Sequence, residues 1–366
     1  MSRTFFVPDY YPGFACKCGD CRNSCCKGWP VIITGEEYTR LMAADCRPDF
    51  RKRLEAAMNL DGDPRRGGTA HIVHDRRGCC PLMGEDGLCA LQLELGEAIL
   101  PDLCRLYPRN TREVCGEAEC ACAASCERVV ELLLGRDAPL GFCAVELEEE
   151  PRFPIDMKES YFRECRQALE VFRVPGSLEE RFTRLNDALF HQRAGETLTL
   201  NGIRMLIAMT AHFAKNSPVV GAVCRRAEEA YGLTGKKDLE PEEAQLLEAR
   251  YAAARQAGRA ILPDWEMGLT NLLLNTMFYN SFPHVGGTNG EEDPFLSLCA
   301  TAAFLDFVLM GCLMEGGSRE KAVDVLSTLF RLIEHSDFKY RAVKYYREYC
   351  DGEPGSWTGL IRRIRS

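Results

Sequence analysis

From residue 155 onward, apolar positions recur at spacings of three and four, the signature of helices that bury one face. Tyr161, Phe162, Cys165, Leu169 and Phe172 mark the first such face. Pro175 and Gly176 end it, and Ser177 is placed to cap a following helix. The same periodicity predicts helices over 203–215, 219–231, 241–260, 265–280, 294–314, 319–335 and 338–349. Pro241 followed by Glu242 and Glu243 makes a clear helix start, because proline suits the first turn and carboxylates suit the positive end of the dipole. Period-two alternation is scarce, and strands are expected only at 30–34 and 71–74.

One stretch, 295–314, is apolar over about the length of a membrane span. Asp306 near its middle makes insertion costly, so a buried core helix is expected, with no membrane partner. Before residue 145 the pattern differs: short apolar runs are broken by Cys, Gly and Pro. The fold class is therefore read as mostly α. An irregular cysteine-rich metal or cluster module over 1–145 is joined by the acidic, proline-marked stretch 146–154 to an all-helical domain over 155–366.

Composition is ordinary for a globular chain of 366 residues, at 46% apolar and 27% charged. A net charge of −9 argues against a general nucleic-acid binder, which carries a basic face. The basic tail Arg362, Arg363 and Arg365 is expected to be solvated.

Cysteine changes the picture. The chain has 20, and 15 lie within its first 143 residues. The opening residues show no basic stretch followed by an apolar one, so a reducing, cytoplasmic compartment is expected, where clustered thiols are metal ligands rather than disulfides. One group is Cys16, Cys18, Cys21, Cys25 and Cys26; another is Cys79, Cys80, Cys89 and Cys104; a third is Cys115, Cys120, Cys122 and Cys126. Such spacing lets tight loops aim several sulfurs at one point, as tetrahedral zinc or an iron–sulfur cluster requires, and both metals accept four thiolates. Adjacent Cys25 and Cys26 point to opposite faces of an extended segment, so one metal takes both only in an irregular turn. Otherwise one of them packs or serves a second centre, and the same holds for Cys79 and Cys80. Arg105 and Arg109 flank Cys104 and are placed to offset thiolate charge. Cys165, Cys224, Cys299, Cys312 and Cys350 stand alone in helical contexts and read as small packing residues. The histidines, His71 and His74 included, form no ligand motif.

These residues resemble a known family. The run Phe14, Cys16, Gly19, Cys21, Ser24, Cys25, Cys26, Lys27, Gly28 and Trp29 is followed by Cys80-Pro81-Leu82, Asp86-Gly87-Leu88-Cys89, Leu95-Gly96-Glu97 and Cys104 through Arg109. In the C-terminal half, Asn271, Asn275, Phe278, Phe282 and Pro283 precede the long apolar helix. Together they are similar to the flagellin lysine-N-methylase (FliB) family, whose cysteine module is described as zinc- or iron-chelating. The resemblance implies transfer of methyl groups from S-adenosylmethionine to lysine ε-amines of flagellin, with an iron–sulfur cluster (4Fe–4S, zinc being the alternative). By the same resemblance the ligands are Cys16, Cys21, Cys25, Cys26, Cys80, Cys89, Cys104 and Cys126. Cys18, Cys79, Cys115, Cys120, Cys122 and Cys143 are additions to the pattern, and the stretch 115–126 is a source of ligands for a second centre.

Lysine, with an ordinary pKa near 10.4, must lose a proton before its nitrogen takes a methyl group. Tyr107, Asp86, Glu94 and Glu97 are candidates by proximity to the cysteines. No glycine-rich strand-to-helix turn of the dinucleotide type is present, and the three-cysteine motif of radical enzymes is also missing. An open iron of a cluster would then be one place for the methyl donor to bind. The competing readings are a non-catalytic zinc- or iron-binding adaptor and a redox protein.

Overall fold

The computed structural model describes residues 2–365 except 29–30, 64–66, 77, 152, 156, 158, 196–199, 235, 237–238, 285–292 and 351–354. The chain folds as two compact units: Met1–Phe14 with Thr111–Ser125 and Val129–Ser366, and Ala15–Asn110 with Cys126–Arg128. This division differs from the single cut expected near residue 145, because segments before that point supply strands to the larger unit's sheet.

That sheet has five strands: β1 (Arg3–Pro8), β5 (Arg109–Val114), β6 (Glu117–Cys122), β7 (Phe142–Leu147) and β8 (Phe153–Ile155), in the order β7-β1-β6-β5-β8. β1 runs parallel to β6, with Phe5 opposite Ala118, and antiparallel to β7, with Phe5 opposite Val145. Cys115 and Gly116 join β5 to β6 with positive φ at both, the geometry of a tight two-residue hairpin. The sequence reading missed this sheet. Its strands are short and mixed in direction, and β6 (EAECAC) is built of residues with little strand preference, so no alternation announces them.

Helices fill the rest of the larger unit, and the longer ones follow the periodicity closely. α6 (Tyr161–Arg173) buries Tyr161, Cys165, Leu169 and Phe172. α7 (Leu178–Leu185) opens with a capping box, in which Ser177 accepts from the Glu180 amide and Glu180 accepts from that of Ser177. α8 (Leu200–Asn216), α9 (Gly221–Tyr231), α10 (Pro241–Ile261), α11 (Trp265–Tyr279), α13 (Arg319–His335) and α14 (Phe338–Cys350) surround α12 (Pro294–Leu313). Among the described residues α12 is long and apolar enough to cross a membrane, yet its apolar window is 94% buried within the unit. It is the core helix that Asp306 implied. Asp306 accepts from Trp265 Nε1 at 2.6 Å and from the Tyr251 hydroxyl, and lies 3.3 Å from Arg255 Nε.

α15 (Ser356–Arg365) corrects the expectation of a solvated basic tail. Arg362 pairs with Glu179 at 2.7 Å, and Arg363, buried, pairs with Glu248 at 2.8 Å. The charge run supplies struts for a terminal helix that also buries Trp357, Leu360 and Ile361. The five isolated cysteines, 165 through 350, are all buried packing residues.

The smaller unit is built on a three-stranded antiparallel sheet of β2 (Val31–Thr34), β4 (Thr69–Ile72) and β3 (Met58–Asp61), in the order β2-β4-β3. β2 and β4 fall where strands were expected; Pro30 lies outside the described residues. Val31, Ile33, Ala70, Ile72 and Met58 face a core completed by Leu41 of α1 (Gly35–Ala43) and by Phe50 and Leu54 of α2 (Pro48–Ala56). α1 starts on a Thr34–Glu37 capping box and α2 on Pro48. α3 (Ala90–Leu95) and α4 (Asp102–Leu106) follow.

Candidate functional site

All eight cysteines proposed as ligands fall in the smaller unit, and backbone contacts sort them. The turn Cys18–Asp20 follows Cys16, whose sulfur accepts from the Cys18 amide at 3.3 Å. Glu127 opens α5 (Glu127–Leu134) immediately after Cys126. Its carboxylate accepts from the Asn23 amide at 2.6 Å, pairs with Lys17 and lies 3.5 Å from Arg22. That side chain ties Cys126 to the loop carrying Cys16, Cys21 and Cys25. Burial pushes the Glu127 carboxyl up, but the Asn23 amide and Lys17 outweigh it and hold the group below its usual range. Glu127 escaped the sequence reading because an acidic residue beside a cysteine has no signature of its own.

A second set of contacts gathers other thiols. The Cys80 amide donates to the Cys26 carbonyl at 2.8 Å and the Gly28 amide to Gly78 at 2.9 Å, a short antiparallel pairing that sets Cys26 beside Cys80. A tight loop returns the chain: the Gly84 amide donates to Leu88 at 2.8 Å and Ala90 to Leu82 at 2.8 Å, carrying Cys89 back toward Cys80. Cys26, Cys80 and Cys89 pack against the same apolar core. Cys104 rides on α4, which lies against β2.

Two glycines of the motif explain themselves here. A Cβ on Gly87, where φ is +75°, would sit 2.9 Å from the Gly19 carbonyl, and one on Gly19 would sit 2.5 Å from that of Asp86. The 84–88 loop thus rests backbone to backbone on the Cys18–Asp20 turn, a closeness only glycine permits.

The thiols feel one another. Burial, then Glu127, Cys126 and Cys16, push Cys21 up to about 12. Burial, then Cys26, Cys89 and Cys80, push Cys104 up to about 12, although its residue retains solvent-accessible surface. Cys80 rises to about 11 from burial, with Cys26 and Cys89 adding to it. Cys25 and Cys26 share a hydrogen bond that lowers Cys26 and raises Cys25.

Do these residues fit a metal? Among the described residues no group of three or more His, Cys, Asp or Glu side chains is arranged as a formed ion site. The donor set is nonetheless of the kind a thiolate-bound metal takes: cysteines outside disulfides, gathered by backbone contacts.

The third sequence group divides. Cys126 joins the smaller unit, whereas Cys120 and Cys122 are buried in β6 of the larger one and Cys115 forms its hairpin turn. Cys120 and Cys122 thus belong to a different unit from Cys126, although the spacing put them in one group. Arg105 pairs with Asp102 at 3.3 Å. His71 Nδ1 faces Asp61 at 2.8 Å. Of the proposed proton acceptors, Glu94 is clamped by Arg47 at 2.6 Å, which holds its carboxyl below the usual range, and Asp86 accepts from the Leu88 amide.

In the larger unit, the paired asparagines of α11 act as backbone clamps. Asn271 accepts from the Leu140 amide at 2.7 Å, while Asn275 accepts from the Tyr10 hydroxyl at 2.7 Å and donates to the Cys122 carbonyl at 3.0 Å. A cleft of about 400 Å³ in the same unit is lined by Arg163, Glu164, Gln167, Phe190, Pro283 and His284. There His284 Nε2 meets a Glu164 oxygen at 3.0 Å, and the Tyr161 ring packs 5.3 Å from the imidazole. Glu164 and His284 are far apart in sequence, and helix spacing alone does not pair them.

Residues 155–348 match the family described as the FliB lysine N-methylase C-terminal domain. The chain belongs to this family. Over 131 residues it is 24% identical to proteins named lysine-N-methylase from Salmonella typhimurium (strain LT2) and from Salmonella choleraesuis, covering 36% of this chain. The chain spans 32% of the length of those relatives. It is also 26% identical over 134 residues to the flagellar biosynthetic protein FliU of Salmonella muenchen, covering 36% of this chain and 77% of FliU. No solved structure matches.

Proposed function

We propose that the chain is a protein-lysine N-methyltransferase that uses S-adenosylmethionine, acts on lysines of flagellin and carries a cysteine-ligated iron–sulfur cluster in the cytoplasm. The observation that carries this reading is membership of the lysine N-methylase family through residues 155–348. Relatives named for lysine methylation and for flagellar biosynthesis point the same way.

The chain's own chemistry supports it. A lysine side chain arrives as an ammonium and must be deprotonated before its nitrogen becomes a nucleophile. The His284–Glu164 pair, in a cleft of about 400 Å³, is the candidate acceptor. Glu164 draws the cation in and orients the imidazole, and Tyr161 fixes the other side of the ring. Phe190 offers an apolar wall for the methylene stem. The thiols of the smaller unit, Cys16, Cys21, Cys25, Cys26, Cys80, Cys89, Cys104 and Cys126, would hold the cluster. When bound, the methyl donor supplies the electrophilic carbon, and the cluster supplies local structure and charge.

The test uses anaerobically purified protein with S-adenosylmethionine and flagellin, read by intact mass. Mass steps of one methyl group on lysine are expected. Metal-replete, folded protein that leaves flagellin unchanged would overturn the proposal and favour a non-catalytic adaptor or a redox protein.

A further inference from the structure

We infer that the cysteine module holds two four-thiolate centres: Cys16, Cys21, Cys25 and Cys126 form one, and Cys26, Cys80, Cys89 and Cys104 form the other. The inference rests on the proposed role of these cysteines as ligands and goes beyond it in number and partition.

Two separate sets of contacts build the two groups. In the first, Glu127 is the organiser. Through Lys17, Arg22 and the Asn23 amide it holds the 16–25 loop against the start of α5, beside Cys126. In the second, the Cys26–Cys80 backbone hydrogen bond and the loop closed by Ala90 and Leu82 place three cysteines on one apolar core, and α4, which carries Cys104, lies against β2 of the same unit. The sets meet at Cys25 and Cys26, which occupy a turn closed by the Lys27 amide on the Ser24 carbonyl at 3.2 Å, and that turn passes one cysteine to each set of backbone contacts. The partition explains why two cysteines stand side by side in the motif: one serves each centre.

The thiols that raise Cys21 are Cys126 and Cys16, whereas those that raise Cys104 are Cys26, Cys89 and Cys80. Only the Cys25–Cys26 contact crosses between the two sets. Four thiolates complete tetrahedral zinc or a 4Fe–4S cluster, and eight exceed what one such centre takes. A consequence follows for the methyl donor. A cluster with four cysteine ligands has no open iron, so its binding place lies elsewhere in the protein.

The full chain, reconstituted anaerobically with ferrous iron and sulfide, is assayed for iron and acid-labile sulfide. Two 4Fe–4S clusters correspond to about eight irons per chain; zinc reconstitution is expected to give about two ions. Cys21→Ser with Cys126→Ser should halve the metal, as should Cys80→Ser with Cys104→Ser, each leaving the other centre's visible absorption. Glu127→Ala, which keeps every thiol, should weaken only the first centre. A wild-type count of about four irons, with each pair of substitutions removing either all metal or none, would overturn the partition. Far-ultraviolet circular dichroism confirms that each variant keeps its helices. The outcomes separate cleanly from the methylase proposal: two centres without methyl transfer overturn only the activity, and methyl transfer with a single centre overturns only the partition.

Discussion

Asp306 is the sharpest test of how the larger unit is held together. It is fully buried near the centre of an otherwise apolar helix, and three groups converge on it: Trp265 Nε1, the Tyr251 hydroxyl and Arg255 Nε. Asp306→Ala removes the carboxylate while leaving those donors in a core that admits no bulk water. Taking one partner from a buried ion pair costs about 3–5 kcal/mol, and an orphaned neutral donor costs about 1–3 kcal/mol more, with incomplete additivity. The expected loss is thus on the order of 4–6 kcal/mol, a large share of the 5–15 kcal/mol typical of a domain. Asp306→Asn, which keeps the shape and one acceptor, should lose about half as much. Replacing the pair together, as Asp306→Leu with Arg255→Met, should recover much of the deficit, because a packed apolar pair carries no desolvation cost. Urea unfolding followed by tryptophan fluorescence reads this directly, since Trp265 lies in the network and Trp357 in the same unit. An Asp306→Ala variant within about 1 kcal/mol of wild type would refute the argument, since the mutation would then leave no buried donors stranded.

Glu334 makes a pH-dependent prediction. Its buried carboxyl accepts from the Ala124 and Ser125 amides, and burial raises its pKa from 4.5 to about 8. The folded protein therefore keeps a proton that the unfolded chain releases, so this stabilisation is complete below about pH 4.5 and is lost as pH rises through about 8. At about 1.4 kcal/mol per pH unit the span reaches several kcal/mol. Glu334→Gln should compare better with wild type near pH 9 than near pH 5 in thermal melts, and parallel curves would contradict this. Gly87→Ala, with φ of +75° and the Gly19 carbonyl 2.9 Å from the new carbon, should lower iron retention without changing helical content, measured by iron assay and circular dichroism. His284→Ala should lower the methylation kcat by about a hundredfold or more with a smaller effect on KM, and alkaline pH should partly rescue it by supplying free amine. Equal rates for variant and wild type across pH would remove the His284–Glu164 pair from the mechanism.

Much of the helical half was legible because its long helices bury one face, and apolar period survives in sequence. The start at Pro241, the cap at Ser177 and the buried reading of α12 all rest on local rules. The five-stranded sheet was not legible: its strands come from 3–8, 109–122 and 142–155, and pairing between distant segments leaves no local pattern. The basic tail misled for a related reason, since its partners Glu179 and Glu248 lie far back in the chain. For the cysteines, spacing and resemblance marked all eight proposed ligands. Only tertiary contacts reveal that Cys126 is tied to the 16–25 loop by Glu127, while Cys120 and Cys122 turn into another core. The cleft of His284 and Glu164 was invisible for the same reason, joining a helix and a loop about 120 residues apart.

The most direct test of the central claim is to follow the methyl group itself. Metal-replete protein is incubated anaerobically with flagellin and S-adenosylmethionine bearing a deuterated methyl group, and the product is mapped by peptide mass spectrometry. Deuterated methyl groups are expected on lysine ε-nitrogens, strongly reduced with His284→Ala. Flagellin without label, under conditions where the protein is folded and its metal sites are full, would contradict it.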